Sequence, residues 1–450
     1  MPDPTRPGVP STADDTVPAR TAATPTVATT AVTAGSAATP TAITDATPTA
    51  ITDVTAEAAA PRGTAPTAVA AGGSQGASTV VVAGGFGDVD RPPVALADFA
   101  DLARAVLPAG IWDFVAGGSG VETTLAANRA ALDRVAVFPR VLTGVEQPRT
   151  DAVLLGRAQA MPVAVAPMAY QRLLHPDGEP ALAAAAGAAG VPYVLSTLSS
   201  TPIEEVTVAT DGPVWFQLYW LRDRGLVAEL LDRAHAAGCA ALMVTVDVPV
   251  LGRRLRDVRN GFALPPEVTA ANLPAGRDDL AHVGTPGVSA IAAHTDSAFA
   301  PALTWADLSW LRDRTRLPLL VKGILDPRDA VRAADVGVDA VVVSNHGGRQ
   351  LDGAPATATV LPEVVATVGD RVEVLLDSGV RSGTDVLRAL ALGATGVLLG
   401  RPLLWALAAG GRSGARAALD LLAVELRDAL TLTGCADPAQ ARRLRTLTGG

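Results

Sequence analysis

The sequence contains a single lysine, Lys322, among 36 basic residues. A genomic bias toward arginine codons explains the arginines but not the survivor. Lysine persists under such a bias where a compact, tunable ammonium cannot be exchanged for a planar guanidinium, which marks Lys322 as a candidate functional residue. Cysteine is almost as scarce. Cys239 and Cys435 lie far apart with no metal-type spacing, which argues against a disulfide framework or a zinc site and reads as two buried thiols. No uninterrupted apolar run reaches the ~20 residues that a membrane span needs. The N-terminus lacks a basic patch followed by an apolar run, and its acidity with few arginines argues against a transit peptide, so a cytoplasmic location is expected. A net charge of -9 provides no basic surface for nucleic acid.

Aromatic residues are missing where the chain begins. Residues 1–92 are mostly Ala, Thr, Pro, Val, Gly and Asp, with one Phe and no Tyr or Trp. Such a segment buries too little apolar surface to offset its chain entropy and is expected to be a disordered, low-complexity tail. It includes a tandem duplication, PTAITDAT at 40–47 and PTAITDVT at 48–55. Residues 93–450 are expected to form one domain.

What that domain contains is regular. A helical pattern places Leu96, Phe99, Leu102, Ala103 and Val106 on one face before Pro108 interrupts it. Eight short Val/Leu-rich runs follow, at 163–167, 193–196, 214–219, 241–245, 317–322, 340–344, 372–377 and 396–400, each succeeded by an Ala-rich helical stretch. Continuous rather than alternating apolar runs indicate strands buried on both faces, as in a parallel sheet. Eight of them alternating with helices predict an α/β fold, a (β/α)8 TIM barrel behind an N-terminal helical segment. The spacing breaks once, between the fourth and fifth strands, where about seventy residues (247–316) intervene. This excursion leaves the C-terminal end of a strand, where a lid over the catalytic face would belong. A last helix is predicted over 416–432, capped by Gly434.

In such a barrel the polar residues just past each strand's C-terminal end face the active site. Strand three ends in Gln217 and Tyr219, strand four in Thr245 and Asp247, strand five in Lys322, strand six in SNHGGRQLD, strand seven in DSGVRSG and strand eight in GRP. His346 and Arg349 flank two glycines that let the backbone turn tightly. A guanidinium can hold a carboxylate while an imidazole takes a proton, so the pair suits an anionic substrate. Of the other histidines, His235 falls in a helix and His282 and His294 in the excursion, where they read as surface or lid residues. His175, in HPDGEP, reads as ordering a loop. The glycine-rich turns after strands seven and eight, with Arg381 and Arg401, form an expected phosphate site. No GxGxxG follows a first strand and no P-loop is present, which disfavours a Rossmann dinucleotide site or a nucleotidase.

Across about residues 94–434 the sequence resembles the FMN-dependent α-hydroxy-acid oxidase and dehydrogenase family, which includes glycolate oxidase, lactate oxidase and mandelate dehydrogenase. SNHGGRQLDGAPAT is similar to its active-site signature, and VAPMA, WFQLY, TVDVPVLGRRLRD, LLVKGI, LLDSGVRSGTD and LGRP follow the family order. The resemblance implies that FMN is the cofactor, that a small α-hydroxy acid is oxidised to its α-keto acid, and that the assembly is a homotetramer. It makes His346 the base and Asp247 the partner of its imidazolium. Arg349 and Arg254 would bind the substrate carboxylate, and Tyr219 its hydroxyl. Lys322 would lie by the flavin N1 and C2 carbonyl, where a positive charge favours the reduced form. Pro167, Met168, Ala169, Ser196, Gln217, Thr245 and Ser344 would contact the flavin ring. Asp377, Gly379, Arg381, Gly400 and Arg401 would bind ribityl and phosphate. No metal is implied.

Three departures bear on the substrate. Phe114 stands where many relatives have a Tyr that donates to the carboxylate, a hydrogen bond worth roughly 1 kcal/mol. Leu198 stands where glycolate oxidase has a Trp, and Ser378 replaces a glycine of the flavin phosphate loop. WDFVAGG, APMAY and GRRLRDVRNGFALP are most similar to the branch that oxidises 4-hydroxymandelate, and Phe114, Tyr170 and Leu198 would give an aryl substrate an apolar lining. An (S)-mandelate-like acid is therefore the expected substrate, with lactate- or glycolate-like acids as alternatives. No His precedes His175, which excludes a fused haem domain, and the excursion is neither strongly apolar nor basic, which argues against membrane attachment. Oxygen is the expected acceptor, and a dehydrogenase using another acceptor the alternative. A flavin isomerase and a non-catalytic barrel are competing readings that would not need His346, Arg349 and Arg254 together.

Overall fold

The computed structural model describes residues 92–449, and the tail read at 1–92 lies, but for its last residue, outside them. The eight predicted strands close into one parallel barrel in sequence order. They are β1 (Val163–Val165), β2 (Tyr193–Ser196), β3 (Val214–Tyr219), β4 (Ala241–Thr245), β5 (Leu319–Ile324), β6 (Ala340–Val343), β7 (Glu373–Leu376) and β8 (Gly396–Leu399). Alternate strand residues divide between two cores. Ala164, Val194, Trp215, Met243, Leu320 and Val342 fill the barrel interior, while Val163, Val165, Leu195 and Phe216 pack outward against the helices. Burial on both faces is why these strands read as unbroken apolar runs.

The N-terminal segment is helical: α1 (Asp98–Val106), α2 (Ala109–Ala116) and α3 (Thr123–Asp133). Helix α1 stops at Leu107, which is extended at φ -85°, ψ 139°, as a residue before proline prefers. The excursion after β4 is a packed cap. It carries helices Leu255–Asn260, Ala290–Ala298 and Trp305–Arg314 and buries Phe262, Leu264, Val268, Leu273, Ile291 and Phe299. The last of these helices starts at a capping box, in which Asp307 Oδ2 accepts from the Thr304 N–H at 2.8 Å and Thr304 Oγ1 from the Asp307 N–H.

The structure departs from the sequence reading in three places. Strand β5 does not end at Lys322 but continues to Ile324 across a register shift at Gly323. The helix expected over 416–432 is present but starts just after a break at Gly410 and Gly411, where Gly411 adopts φ 55°, and a separate helix beginning at Arg401 precedes the break. A Cβ on Gly411 would meet the His175 ring at 2.9 Å, so the loop histidine packs into the break. Finally, two small sheets went unread: a hairpin of Ala152–Leu154 with Arg157–Gln159, and the pairing of Val135–Val137 with Thr446–Thr448. The hairpin inserts Leu154 into the barrel's interior core. Both cysteines are buried, and burial pushes the Cys239 thiol up to about 12. No helix among the described residues is long and apolar enough to cross a membrane.

Candidate active site

The loop after β6 is built to hold one side chain. His346 adopts φ 58°, a left-handed conformation that costs a non-glycine residue energy and persists only when its surroundings impose it. Three contacts do so. The His346 N–H donates to Ser344 Oγ at 3.0 Å, Gly347 N–H to Ser378 Oγ at 2.9 Å, and Gly348 N–H to Asn345 Oδ1 at 3.0 Å. Asn345 in turn exchanges amide hydrogen bonds of 2.9 and 2.8 Å with Asn128 of α3, which ties the loop to the N-terminal segment. Sequence reading did not single out Asn128 or Asn345.

The ring nitrogen Nδ1 of His346 lies 3.0 Å from Asp247 Oδ1, beyond the end of β4. Asp247 comes this close because β5 bulges. Gly323 adopts φ 114°, and a Cβ there would stand 2.6 Å from Asp247 Cβ. Removal from water lowers the pKa of His346; Asp247 opposes this and Lys322 adds to it, so the free imidazole is neutral and able to accept a proton. Burial alone would raise the Asp247 carboxyl, but His346 and Lys322 hold it below its ordinary value. Asp247 is thus an anion ready to face an imidazolium.

Two arginines share this end of the cavity. Arg254 is buried, its Nη1 4.0 Å from Asp257, and its Nε has no hydrogen-bond partner. Among the described residues Arg349 donates only to carbonyls, those of Phe114 at 2.6 Å and Gly117 at 2.9 Å. Removal from water, then the charges of Arg254 and Arg401, push Arg349 well below its usual value. Two guanidiniums without a hydrogen-bonded carboxylate among the described residues make a site for an anion. Phe114 stacks on Phe262 at 4.6 Å, with the Arg254 and Arg349 guanidiniums 5.8 and 5.2 Å from its ring centre. Tyr219 stacks on Phe299 at 4.6 Å.

A row of polar side chains crosses the barrel's strand ends beside these groups. Ser196 Oγ donates to Gln217 Oε1 at 3.2 Å, and Gln217 Nε2 to Thr245 Oγ1 at 3.0 Å. Thr245 is in register with Lys322, whose Nζ donates to Ser344 Oγ at 3.0 Å and pairs with Asp377 at 3.1 Å. Desolvation works against the Lys322 charge, but Asp377 and Asp247 outweigh it and raise its pKa, so the sole lysine stays a buried cation.

Phe114, Tyr219, Arg254, Lys322, His346, Arg349 and Asp377 line one cavity, whereas Asp247, Ser196, Gln217, Thr245 and Ser344 stand behind its wall residues. Its wall includes Phe114, Pro167, Met168, Ala169, Tyr170, Leu198 and Tyr219, along with Arg254, Lys322, His346 and Arg349. Its far end is lined by Asp377, Gly379, Arg381, Gly400 and Arg401. There, removal from water and neighbouring arginines push Arg381 down to about 10 and Arg401 to about 9. Among the described residues Arg401 donates only to the carbonyls of Val115, Gly347 and Gly117. The cavity thus pairs a cationic end with a polar platform and a buried lysine, which fits the phosphate and ring of FMN. The excursion contributes wall residues that the sequence left unassigned: Val248, Leu251, Ile291, Thr295 and Phe299. Helical spacing of Ile291 and Thr295 was the available signal. His235 is exposed on its helix. His294, read as a surface or lid residue, is instead fully buried.

Comparison with known proteins agrees with this geometry. The FMN-dependent dehydrogenase family model matches residues 103–446. A 4-hydroxymandelate oxidase from Amycolatopsis orientalis is 56% identical over 356 residues, covering 79% of this chain and 99% of the relative. An L-lactate oxidase from Nostoc is 47% identical over 348 residues, covering 76% and 95%. The crystal structure of a mandelate oxidase with (S)-4-hydroxymandelic acid superposes with a TM-score of 0.77 at 56% identity, covering 79% of this chain and 99% of the other. The chain belongs to the FMN-dependent dehydrogenase family and is an FMN-dependent hydroxy-acid oxidoreductase.

Proposed function

We propose that the protein oxidises an aryl (S)-α-hydroxy acid, such as mandelate or 4-hydroxymandelate, to the α-keto acid, with O2 as acceptor and H2O2 as second product. The observation that carries this reading is the Arg254–Arg349 pair, neither of them hydrogen-bonded to a carboxylate among the described residues, which lines one cavity with His346, the partner of Asp247, and with the apolar side chains of Phe114, Leu198 and Phe299. Arg254 and Arg349 bind the substrate carboxylate, and Tyr219 orients its hydroxyl. Neutral His346 then removes a substrate proton, and Asp247 stabilises the imidazolium that results. FMN, when bound, supplies the two-electron acceptor. Lys322 keeps a positive charge at the ring platform of Ser196, Gln217, Thr245 and Ser344, which Pro167, Met168 and Ala169 adjoin, where negative charge develops. Asp377, Gly379, Arg381, Gly400 and Arg401 hold the ribityl chain and phosphate. Phe114, Leu198 and Tyr170 form part of the aryl wall, and the relatives' substrates support that choice. Family resemblance further supports a homotetramer, which light scattering tests directly.

The test is an anaerobic stopped-flow panel of glycolate, lactate, mandelate and 4-hydroxymandelate, followed by mixing with oxygen. Bleaching of the flavin fastest with the two aryl acids, then rapid reoxidation by O2 with H2O2 release, is expected. Bleaching by lactate or glycolate alone overturns the aryl assignment, and slow reoxidation overturns the choice of acceptor.

A further inference from the structure

One cavity residue that departs from the family pattern has no part in the chemistry proposed above. Ser378 stands in place of a glycine, yet its backbone keeps the left-handed conformation at φ 74° that glycine adopts without strain. It lines the cavity beside Lys322, His346, Gly347 and Asp377. A side chain held at such a position must offset the strain through what it contacts.

The hydroxyl is engaged on both sides. Ser378 Oγ accepts from the Gly347 N–H at 2.9 Å and donates to Asp377 Oδ1 at 2.7 Å. The second carboxylate oxygen, Asp377 Oδ2, meets Lys322 Nζ at 3.1 Å. Lys322 Nζ also donates to Ser344 Oγ, and Ser344 Oγ accepts from the His346 N–H, both at 3.0 Å. Two bridges therefore run from the sole lysine to consecutive N–H groups of the loop that carries His346. One passes through Ser344, and the other, through Asp377, is closed by the hydroxyl at position 378. Both members of the second bridge are buried, and the Thr357 hydroxyl fixes them from behind by donating to the Asp377 carbonyl at 2.7 Å.

Asp377 keeps Lys322 charged, but its anion also offsets part of the field that the ammonium exerts on the cavity. A hydroxyl that donates to this carboxylate turns the positive end of its dipole toward the anion and restores part of that field, an effect that exclusion from water strengthens. We propose that Ser378 is a positioning residue that acts through Asp377 and Lys322: by donating to Asp377 it raises the reduction potential of the bound flavin, and by accepting from Gly347 it fastens the His346 loop to the same lysine.

The effect rests on the placement of Lys322 beside the flavin given above, not on which acid is oxidised. It is tested in the holoenzyme without substrate, by anaerobic redox titration of wild type, Ser378→Ala and Ser378→Gly. Both substitutions remove the hydroxyl, but only glycine also removes the strain. At a fixed potential the ratio of reduced to oxidised flavin should fall by about threefold to tenfold in both, which for a two-electron couple is a potential lower by about 15–30 mV. The melting temperature should separate the two variants, with Ser378→Gly above Ser378→Ala. A potential that is unchanged in both, or that moves in only one, overturns the proposal, because packing or backbone strain alone then accounts for the serine. Lys322→Met serves as the reference. If it lowers the potential while the serine variants do not, the lysine keeps its place at the flavin and only the role of Ser378 falls; if no flavin-bound variant moves the potential, the placement of Lys322 falls with it.

Discussion

His346 sits in a strained backbone conformation with its ring 3.0 Å from a carboxylate, and both features bear on how it titrates. Its pKa is lowered, by burial first and by Lys322. The active form is the neutral ring, so kcat/KM should be flat above this pKa and fall as pH drops through it. The break should therefore lie below the ordinary imidazole value of about 6.5. Asp247→Asn removes the charge that opposes the depression, so the break should move lower still while kcat falls; a pH–rate profile of the two proteins decides, and an upward shift contradicts the assigned pairing. His346→Ala should keep its yellow FMN and lose reduction by on the order of a hundredfold or more. Loss of flavin instead would make His346 a cofactor-binding residue. Phe114 gives the complementary case. Its ring already meets both guanidiniums, so Phe114→Tyr should add a hydroxyl near the carboxylate site and strengthen substrate binding by about 1 kcal/mol, roughly a fivefold fall in Kd, with little change in flavin affinity. An unchanged substrate Kd would place the added hydroxyl away from the carboxylate.

The element that brings the dyad together is strand β5, through the bulge at Gly323. Gly323→Ala forces a Cβ to within 2.6 Å of Asp247 Cβ in a conformation at φ 114°. The variant should lose about 1–3 kcal/mol of stability from backbone strain alone, seen in chemical denaturation, and kcat should drop because Asp247 is displaced from His346. Full activity in a folded variant would mean the dyad does not depend on the bulge. Such a feature was not legible in the sequence, because LLVKGI reads as an unbroken buried strand whether or not it bulges. The eight strands were legible for the converse reason: burial on both faces leaves a long apolar signature that no loop imitates. The hairpin at Ala152–Leu154 and Arg157–Gln159 has strands of three residues, too short for any period, and only the barrel interior that receives Leu154 explains it. The site divides the same way. His346 and Arg349 lie in the loop that follows β6 and were read from that position, while Lys322, inside β5, was read from its being the sole lysine. Ile291 and Phe299 reach the cavity only through the folding of the excursion.

At the scale of the whole molecule, the expectation that residues 93–450 form one self-sufficient domain can be tested. The 4-hydroxymandelate oxidase relative is matched over 99% of its own length by 79% of this chain, and the family model begins at residue 103. Every side chain assigned to substrate or flavin lies between Phe114 and Arg401. A chain beginning at residue 92 should therefore bind FMN and keep kcat/KM within about twofold of the full-length protein, since no transition-state contact is removed. Its stability should respond to FMN in the same way, because Arg381 and Arg401 crowd like charges that phosphate relieves. Ligand linkage predicts a gain of about 2.7 kcal/mol at an FMN concentration one hundred times Kd. Flavin titration, kcat/KM and thermal melting of the two chains make the comparison. A shortened chain that loses flavin, or whose melting no longer rises with FMN, would assign residues 1–91 a part in forming the site.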